Sequence, residues 1–500
     1  ALIQRGEASE EKRFIVQVPA LVDDDYENGT ADYEALSVPL FVIEDIELPN
    51  IGLRGSSIKW ESSNSAVITD AGEVSLGESD TKVTLKATIT NGNFAKIKEF
   101  SVTVSKIATD SIDKAMAQLR TYYNENKNLT GSYWDVFAAK SVLGDSFQDY
   151  NFNEYDINGH RTTSSWQGTD YGAVVLQILA QGDNPYNYQG QNYVEKLQDF
   201  IDSSGWGAWG SPIWAAMALD AAGADPTNYT YNRANIEGFF KGQLSSLEFG
   251  PDLAGWSLVP LATTMEKSGK VEKTQEITDF IEALKKSQVS SATNRGLFNT
   301  GSVEGGMITL SNACVVNGFS AMRGIGVEGF DLNDTEWKKN NTGVLDALYN
   351  QEVKEKVGVN PQIIIAFGDA YYGDSVWRRV GVKWDQMEKV LNQAEPLVMG
   401  NGGEYTTESY AALKNAYQSA LAVKNDVDKM KNHHFGESYF SLRDVISGLK
   451  EKGTGTGCSG LRAGLCSARL TRLFYATLRQ KPSSDPDIRD DAVKVTIMSF

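Results

Sequence analysis

Three stretches decide the fold: "TDYGAVVLQILAQGDNPYNY" (residues 169–188), "SPIWAAMALDAAGADPTNYTY" (211–231) and "LAGWSLVPLATTMEKSGK" (253–270). In each, an aromatic or small residue leads into an apolar helical run of about ten residues. Two of them continue with Gly-Asp-Asn-Pro or Gly-Ala-Asp-Pro and a second, amphipathic helix. Successive starts are 42 residues apart. A helix pair of that length cannot bury its apolar face alone, so the repeats must stack on one another. "EGGMITLSNACVVNGFSAMRGIGVEGF" from Glu304 and "PQIIIAFGDAYYGDSVW" from Pro361 supply a fourth copy and an edge copy. Runs such as "AVVLQILA" and "AAMALDAAG" are apolar almost all round, as expected of inner helices packed on both sides.

Open stacking of such pairs gives a solenoid, and closure gives a toroid of inner and outer helices. Residues 110–395 resemble the α/α-toroid domains of the terpenoid cyclase and protein prenyltransferase superfamily, in the form found in large Gram-positive surface proteins. The turn Gly205-Trp206-Gly207-Ala208-Trp209 before an inner helix carries that resemblance. It implies a shape and withholds a reaction. The region has no Asp-x-Asp-Asp acid, no Cys-Gly-Glu-Gln thioester, and no Asp, Cys and His set for zinc, because Cys314 stands alone and His160 is the region's single histidine.

Upstream, residues 36–106 alternate polar and apolar residues in short runs such as "KVTLKATIT" and "KEFSVTVS", punctuated by "TDAGEV" and "TNGNF". That pattern predicts antiparallel strands in a small β-sandwich. The segment "GSSIKWESSNSAVITDAGEVSL" (55–76) resembles bacterial immunoglobulin-like domains of exported and surface proteins, which implies a spacer or adhesion module. Trp60 is expected in its core. Residues 1–35 read as a linker. Downstream, "YTTESYAALKNAYQSALAVKNDVDKMKN" and "YFSLRDVISGLKEKG" predict a small helical module over 400–452, with Thr406 or Thr407 capping its first helix and Glu408 in the first turn. It resembles the FIVAR modules of bacterial surface and carbohydrate-active proteins. Residues 453–500 read as a linker or tail: 453–481 lacks acidic residues, and "DDAVKVTIMSF" looks like the first strand of a further β domain.

The expected fold class is therefore multidomain, a β-sandwich followed by an all-α toroid and a small helical module. A net charge of −18 over 500 residues opposes nucleic acid and anionic membrane surfaces. No apolar run is long enough to span a membrane. Cys314, Cys458 and Cys466 form neither a disulfide framework nor a metal-ligand pattern. The start lacks both an initiator Met and an apolar signal core, which fits a mature or trimmed product. Together with the surface-protein resemblances, this leads to the expectation of a secreted or cell-wall-associated bacterial protein.

The starts of the inner helices supply the candidate ligand-binding residues: Trp166, Asp170, Trp206, Trp209, Trp214 and Trp256. The last copy adds Asp369, Tyr371, Asp374 and Trp377. Helix N-termini receive polar ligands, and exposed indoles stack on sugar faces, so the expected partner is a glycan or another cell-surface ligand. The competing reading is that these aromatics pack between repeats. A second function is weighed beside binding. A polysaccharide lyase acting on uronic-acid glycans needs a base, an acid and a cation, for which His160, Arg161, Tyr171 and Tyr372 are the candidates. Asp170 with Asp369 or Asp374 could pair for glycoside hydrolysis. No cofactor is expected. Calcium is the one ion considered, at Asp23, Asp24 and Asp25, but that run lacks loop spacing and reads as solvated linker. His433 and His434 have no cysteine near them in sequence and predict no metal.

Overall fold

The computed structural model describes residues 2–5, 8–11, 24–126, 132–149, 166–245, 251–291, 293–299, 307–356 and 358–451. The hairpin β1 (Leu2–Arg5) and β2 (Ala8–Glu11) comes first, followed by helix α1 (Asp24–Ala35). Strands β3 (Phe41–Val42), β4 (Ser57–Ser62), β5 (Thr81–Asn91) and β6 (Phe94–Val104) then form one sheet in the order β3-β6-β5-β4. All neighbours are antiparallel except β3, which runs parallel to β6. The alternation in β5 buries Val83, Leu85, Ala87 and Ile89 on one face, with Trp60 beside them at 5% exposure.

Two expectations differ here. Residues 36–106 hold one sheet rather than two packed sheets, and its core is completed by irregular segments bearing Ile46, Leu48, Val67 and Val74. Residues 24–35, read as linker, form α1, which packs on β5 and β6. The sequence misleads there because α1 has a weak apolar face; it buries Gly29 and Asp32, not a row of leucines. Asp23 lies outside the described residues, while Asp24 and Asp25 occupy the first turn of α1, where the helix dipole favours acidic side chains.

Asp32 explains why α1 is needed. Its buried carboxylate accepts the amides of Arg54 (2.8 Å) and Ser56 (3.0 Å) and so shapes the loop before β4. Burial opposes the charge, but the Ser56 side chain and these amides outweigh it and hold the carboxyl below its ordinary 3.8. The stabilisation is therefore complete above that value and is lost as pH falls through the lower folded value. Asp32→Ala should cost about 2–3 kcal/mol at neutral pH and little in strong acid, a difference read by urea unfolding at the two pH values.

Everything after β6 is helical among the described residues. Outer and inner helices follow, alternating from α4 onward: α2 (Ser111–Glu125), α3 (Tyr133–Leu143), α4 (Gly168–Ala180), α5 (Tyr193–Ser204), α6 (Ser211–Ala222), α7 (Arg233–Leu244), α8 (Pro251–Ser268), α9 (Gln275–Ser287), α10 (Met307–Gly324), α11 (Val344–Leu348) and α12 (Pro361–Tyr372). Helices α3, α4, α6, α8, α10 and α12 pack in a cycle, each on the next, and α12 returns to α3. They run in one direction. Thr169 and Ser211 meet at the starts of α4 and α6 (3.0 Å), whereas Asp220 and Lys267 meet at the ends of α6 and α8 (3.0 Å). The glycines scattered through these helices allow that packing: a Cβ on Gly318 would lie 2.0 Å from the Gly255 carbonyl. Outer helices bury one stripe only, as α9 does with Ile277, Phe280, Ile281 and Leu284.

A four-residue helix, α13 (Val376–Arg379), follows α12 and touches α3, α6, α8 and α12 at once. Then come α14 (Trp384–Met399), α15 (Thr407–Lys424), α16 (Val427–Lys431) and α17 (Gly436–Ser447). Thr406 caps α15, with Glu408 in its first turn. Helix α14, assigned by sequence to the preceding region, packs on α15 and α17. This C-terminal unit docks on the loops after α4 and α6. Gly436 donates its amide to Gly223 O, Asn184 donates to Asp444 (2.7 Å), and Lys429 pairs with Asp225 (2.7 Å). His433 and His434 sit at that contact, and burial lowers both imidazoles below their ordinary value.

Candidate functional site

The aromatic helix starts converge. Trp134 at the start of α3 stacks on Trp256 of α8, with centroids 6.2 Å apart and planes at 23°. Trp214 of α6 stands edge-on to both, at 5.4 Å and 5.8 Å, and Tyr133 joins at 6.3 Å. From the other end of the six-helix ring, Trp377 of α13 meets Phe137, Trp214 and Trp256 at 6.3, 5.5 and 6.1 Å. The result is one aromatic cluster, a cup in outline, with Tyr133, Trp134 and Trp256 toward the helix starts and Trp377 below them. Trp214 and Trp377 are 2% and 1% exposed, so they are packing residues of the cup's base. Tyr133, Trp134 and Trp256 are only partly buried and form its rim.

The remaining tryptophans take different places. Trp166 packs on Tyr171 (4.8 Å), and Trp206 lies edge-on to Tyr231 (5.4 Å). Trp209 is 81% exposed and holds a left-handed backbone at φ +54°, which an L-tryptophan adopts only under constraint. That constraint comes from the tight turn between α5 and α6. Gly210 occupies the N-cap of α6, and the Ser211 hydroxyl bonds Thr169 across to α4.

Of the catalytic candidates, His160 and Arg161 lie outside the described residues, as does Glu304 at the start of the fourth copy. Tyr171 turns toward the outer helix α5, where it meets Phe200 (5.8 Å). Burial, with Asp170 beside it, raises its phenol above the ordinary value. Tyr372 sits at the far end of the ring, donating to Val142 O (3.2 Å) with Arg379 over its face. Tyr171 and Tyr372, the two alternatives for the acid, thus stand at opposite ends of the ring.

The carboxylates are separated in the same way. Asp170 lies in the first turn of α4, where its carboxylate accepts the Gln167 amide as part of a capping box. Asp369 lies in the third turn of α12, wholly buried, accepting from Asn317 Nδ2 (2.9 Å), the Val376 amide (2.7 Å) and Arg379 Nη2 (3.2 Å). Burial raises it to about 7 against the pull of Arg379. Asp374 accepts Arg378 Nε (2.9 Å), and burial also raises it. These two carboxylates hold α13 in place. Tyr371 lies behind them against Arg120, with the guanidinium 4.8 Å from the ring centre. Among the described residues no group of three or more His, Cys, Asp or Glu could hold a metal, and no helix is long and apolar enough to cross a membrane.

Sequence reasoning missed Tyr133, Trp134 and Asn317. The first two had a signal: "GSYWDVFAAK" carries the same cap, aromatic and apolar order as "QGTDYGAVV", with Ser132 and Asp135 forming the box. Its helix starts 35 residues before α4, off the 42-residue period. Asn317 has no such signal, because a buried amide in an apolar run looks like noise until its partners are known.

Comparison with known families matches residues 27–107 to the atrophied bacterial Ig domain. The match begins inside α1, in accord with the packing of that helix on the sheet. No curated protein matches the chain.

Proposed function

We propose that residues 110–395 form an α/α-toroid whose N-terminal opening binds a carbohydrate on an extracellular, surface-associated bacterial protein. The observation that carries this reading is the partly buried pair Trp134 and Trp256 at the rim of a cup closed below by Trp377. Such faces are large, apolar and rigid, and they match the C–H face of a sugar ring. The exposed, constrained Trp209 extends the aromatic surface at the start of α6. Cyclic packing of the inner helices supports the toroid, and the Ig-domain match and acidic charge fit a location outside the cell. The helices of residues 405–451 support the FIVAR-like reading; their docking makes them a buttress for the ring.

A glycan array probed with the full chain tests this. Trp134→Ala and Trp256→Ala should each weaken retention of the captured glycan by about tenfold, the equivalent of about 1.4 kcal/mol. Trp209→Ala should weaken it less. Retention untouched by all three substitutions would defeat the cup as a binding site.

A further inference from the structure

A polar chain runs beneath the aromatic cup. The Trp256 indole N–H donates to Asn317 Oδ1 (3.3 Å), and Asn317 Nδ2 donates to Asp369 Oδ2 (2.9 Å). The other carboxylate oxygen, Oδ1, takes the Val376 amide (2.7 Å) and Arg379 Nη2 (3.2 Å). Asn317 is 2% exposed and Asp369 is 0% exposed. The amide orientation is dictated by chemistry: an indole N–H only donates and a carboxylate only accepts, so Asn317 must present oxygen to one and nitrogen to the other.

We propose that Asn317 is the positioning residue of the aromatic cup, holding the Trp256 indole against Trp134 and tying it through Asp369 to the plug helix α13. The consequence for ligand binding rests on the reading of the cup as a carbohydrate site; the coupling itself does not. Oδ2 is the oxygen free to take a proton, since Oδ1 is occupied by Val376 and Arg379. A protonated Oδ2 becomes a donor facing the Asn317 amide nitrogen, another donor. The amide turns over to offer its oxygen, and its nitrogen then faces the Trp256 N–H. Protonation of Asp369 therefore releases the rim indole.

The charged surroundings leave Asp369 as the group that titrates this chain. From α13, Arg379 contacts it directly, while Arg378 is engaged by Asp374 and Glu266. From α3, Lys140 reaches Gly144 O instead, and Arg323 of α10 pairs with Asp331. Arg120 of α2 is held by Asp80 behind Tyr371. The carboxyl value of about 7 places the change at neutral pH, with the carboxylate form, and the held indole, above it.

The test is 19F NMR of the full chain carrying 5-fluorotryptophan, with the Trp256 resonance assigned by its loss in Trp256→Phe. In the unsubstituted protein that resonance should move with a midpoint near 7, and it should be flat in Asp369→Asn and in Asn317→Ala. A flat resonance in the unsubstituted protein overturns the proposal without any variant having to fold. A titration that survives Asn317→Ala overturns it as well. No ligand enters the measurement, so failure to capture any glycan counts against the proposed function alone.

Discussion

Trp377→Ala should lower the unfolding free energy by about 3–5 kcal/mol, the range for deleting a buried aromatic from a close-packed core. Trp377 is 1% exposed and touches Phe137, Trp214 and Trp256, so no single helix can move in to fill the space. The void left behind is apolar on the sides formed by those aromatics. Such a void stays dry and admits a ligand of matching shape. Added indole should therefore raise the stability of the variant in a concentration-dependent way and leave the unsubstituted protein unchanged, as measured by thermal unfolding. A variant as stable as the parent would mean that Trp377 does not hold the ring closed from below.

The second large effect is expected at Arg120, which joins the Ig-like domain to the helical region. Its guanidinium, 2% exposed, pairs with Asp80 (2.7 Å), donates to Ser105 (3.0 Å) and lies between the rings of Phe41 and Tyr371 at 4.6 and 4.8 Å. Asp80, Ser105 and Phe41 come from the sheet domain, while Tyr371 comes from α12. Arg120→Met keeps most of the volume but strands the Asp80 carboxylate. Removing one partner of a buried pair costs about 3–5 kcal/mol, and the partial exposure of Asp80 places the expected loss near the lower figure. Adding Asp80→Asn should recover part of it, because the stranded charge disappears. Paired urea titrations of the single and double variants read this. A loss of a few tenths of a kcal/mol in Arg120→Met would make the Ig-like domain a loosely tethered spacer.

That junction also shows what a spacer reading leaves out. Asn124 of α2 receives the amides of Leu40 (3.0 Å) and Phe41 (3.2 Å), and Lys106 pairs with Asp113 (2.6 Å). These contacts fasten the sheet to the first outer helix by backbone as well as side chain. Separate modules were legible in the sequence; their rigid attachment was not, since Asn124 and Arg120 are ordinary polar residues of an amphipathic helix until the sheet edge is beside them.

The sequence by itself determined the periodicities. Alternation in residues 81–104 specifies strands, the 42-residue recurrence specifies helix pairs, and the all-round apolar runs specify which helix of each pair lies inside. These are local properties of the chain, written in side-chain spacing. Only the tertiary structure decided which aromatics are sealed and which stay partly exposed. Trp214 and Trp256 hold equivalent places at the starts of neighbouring repeats, yet one is sealed at 2% exposure and the other reaches the rim. Both touch Trp377, which enters from the far end of the ring on a four-residue helix. Trp256 also bonds Asn317, which meets Asp369 across α10 and α12 at a separation of 52 residues. Burial depends on what the whole ring brings to a point, and no window of sequence contains that sum.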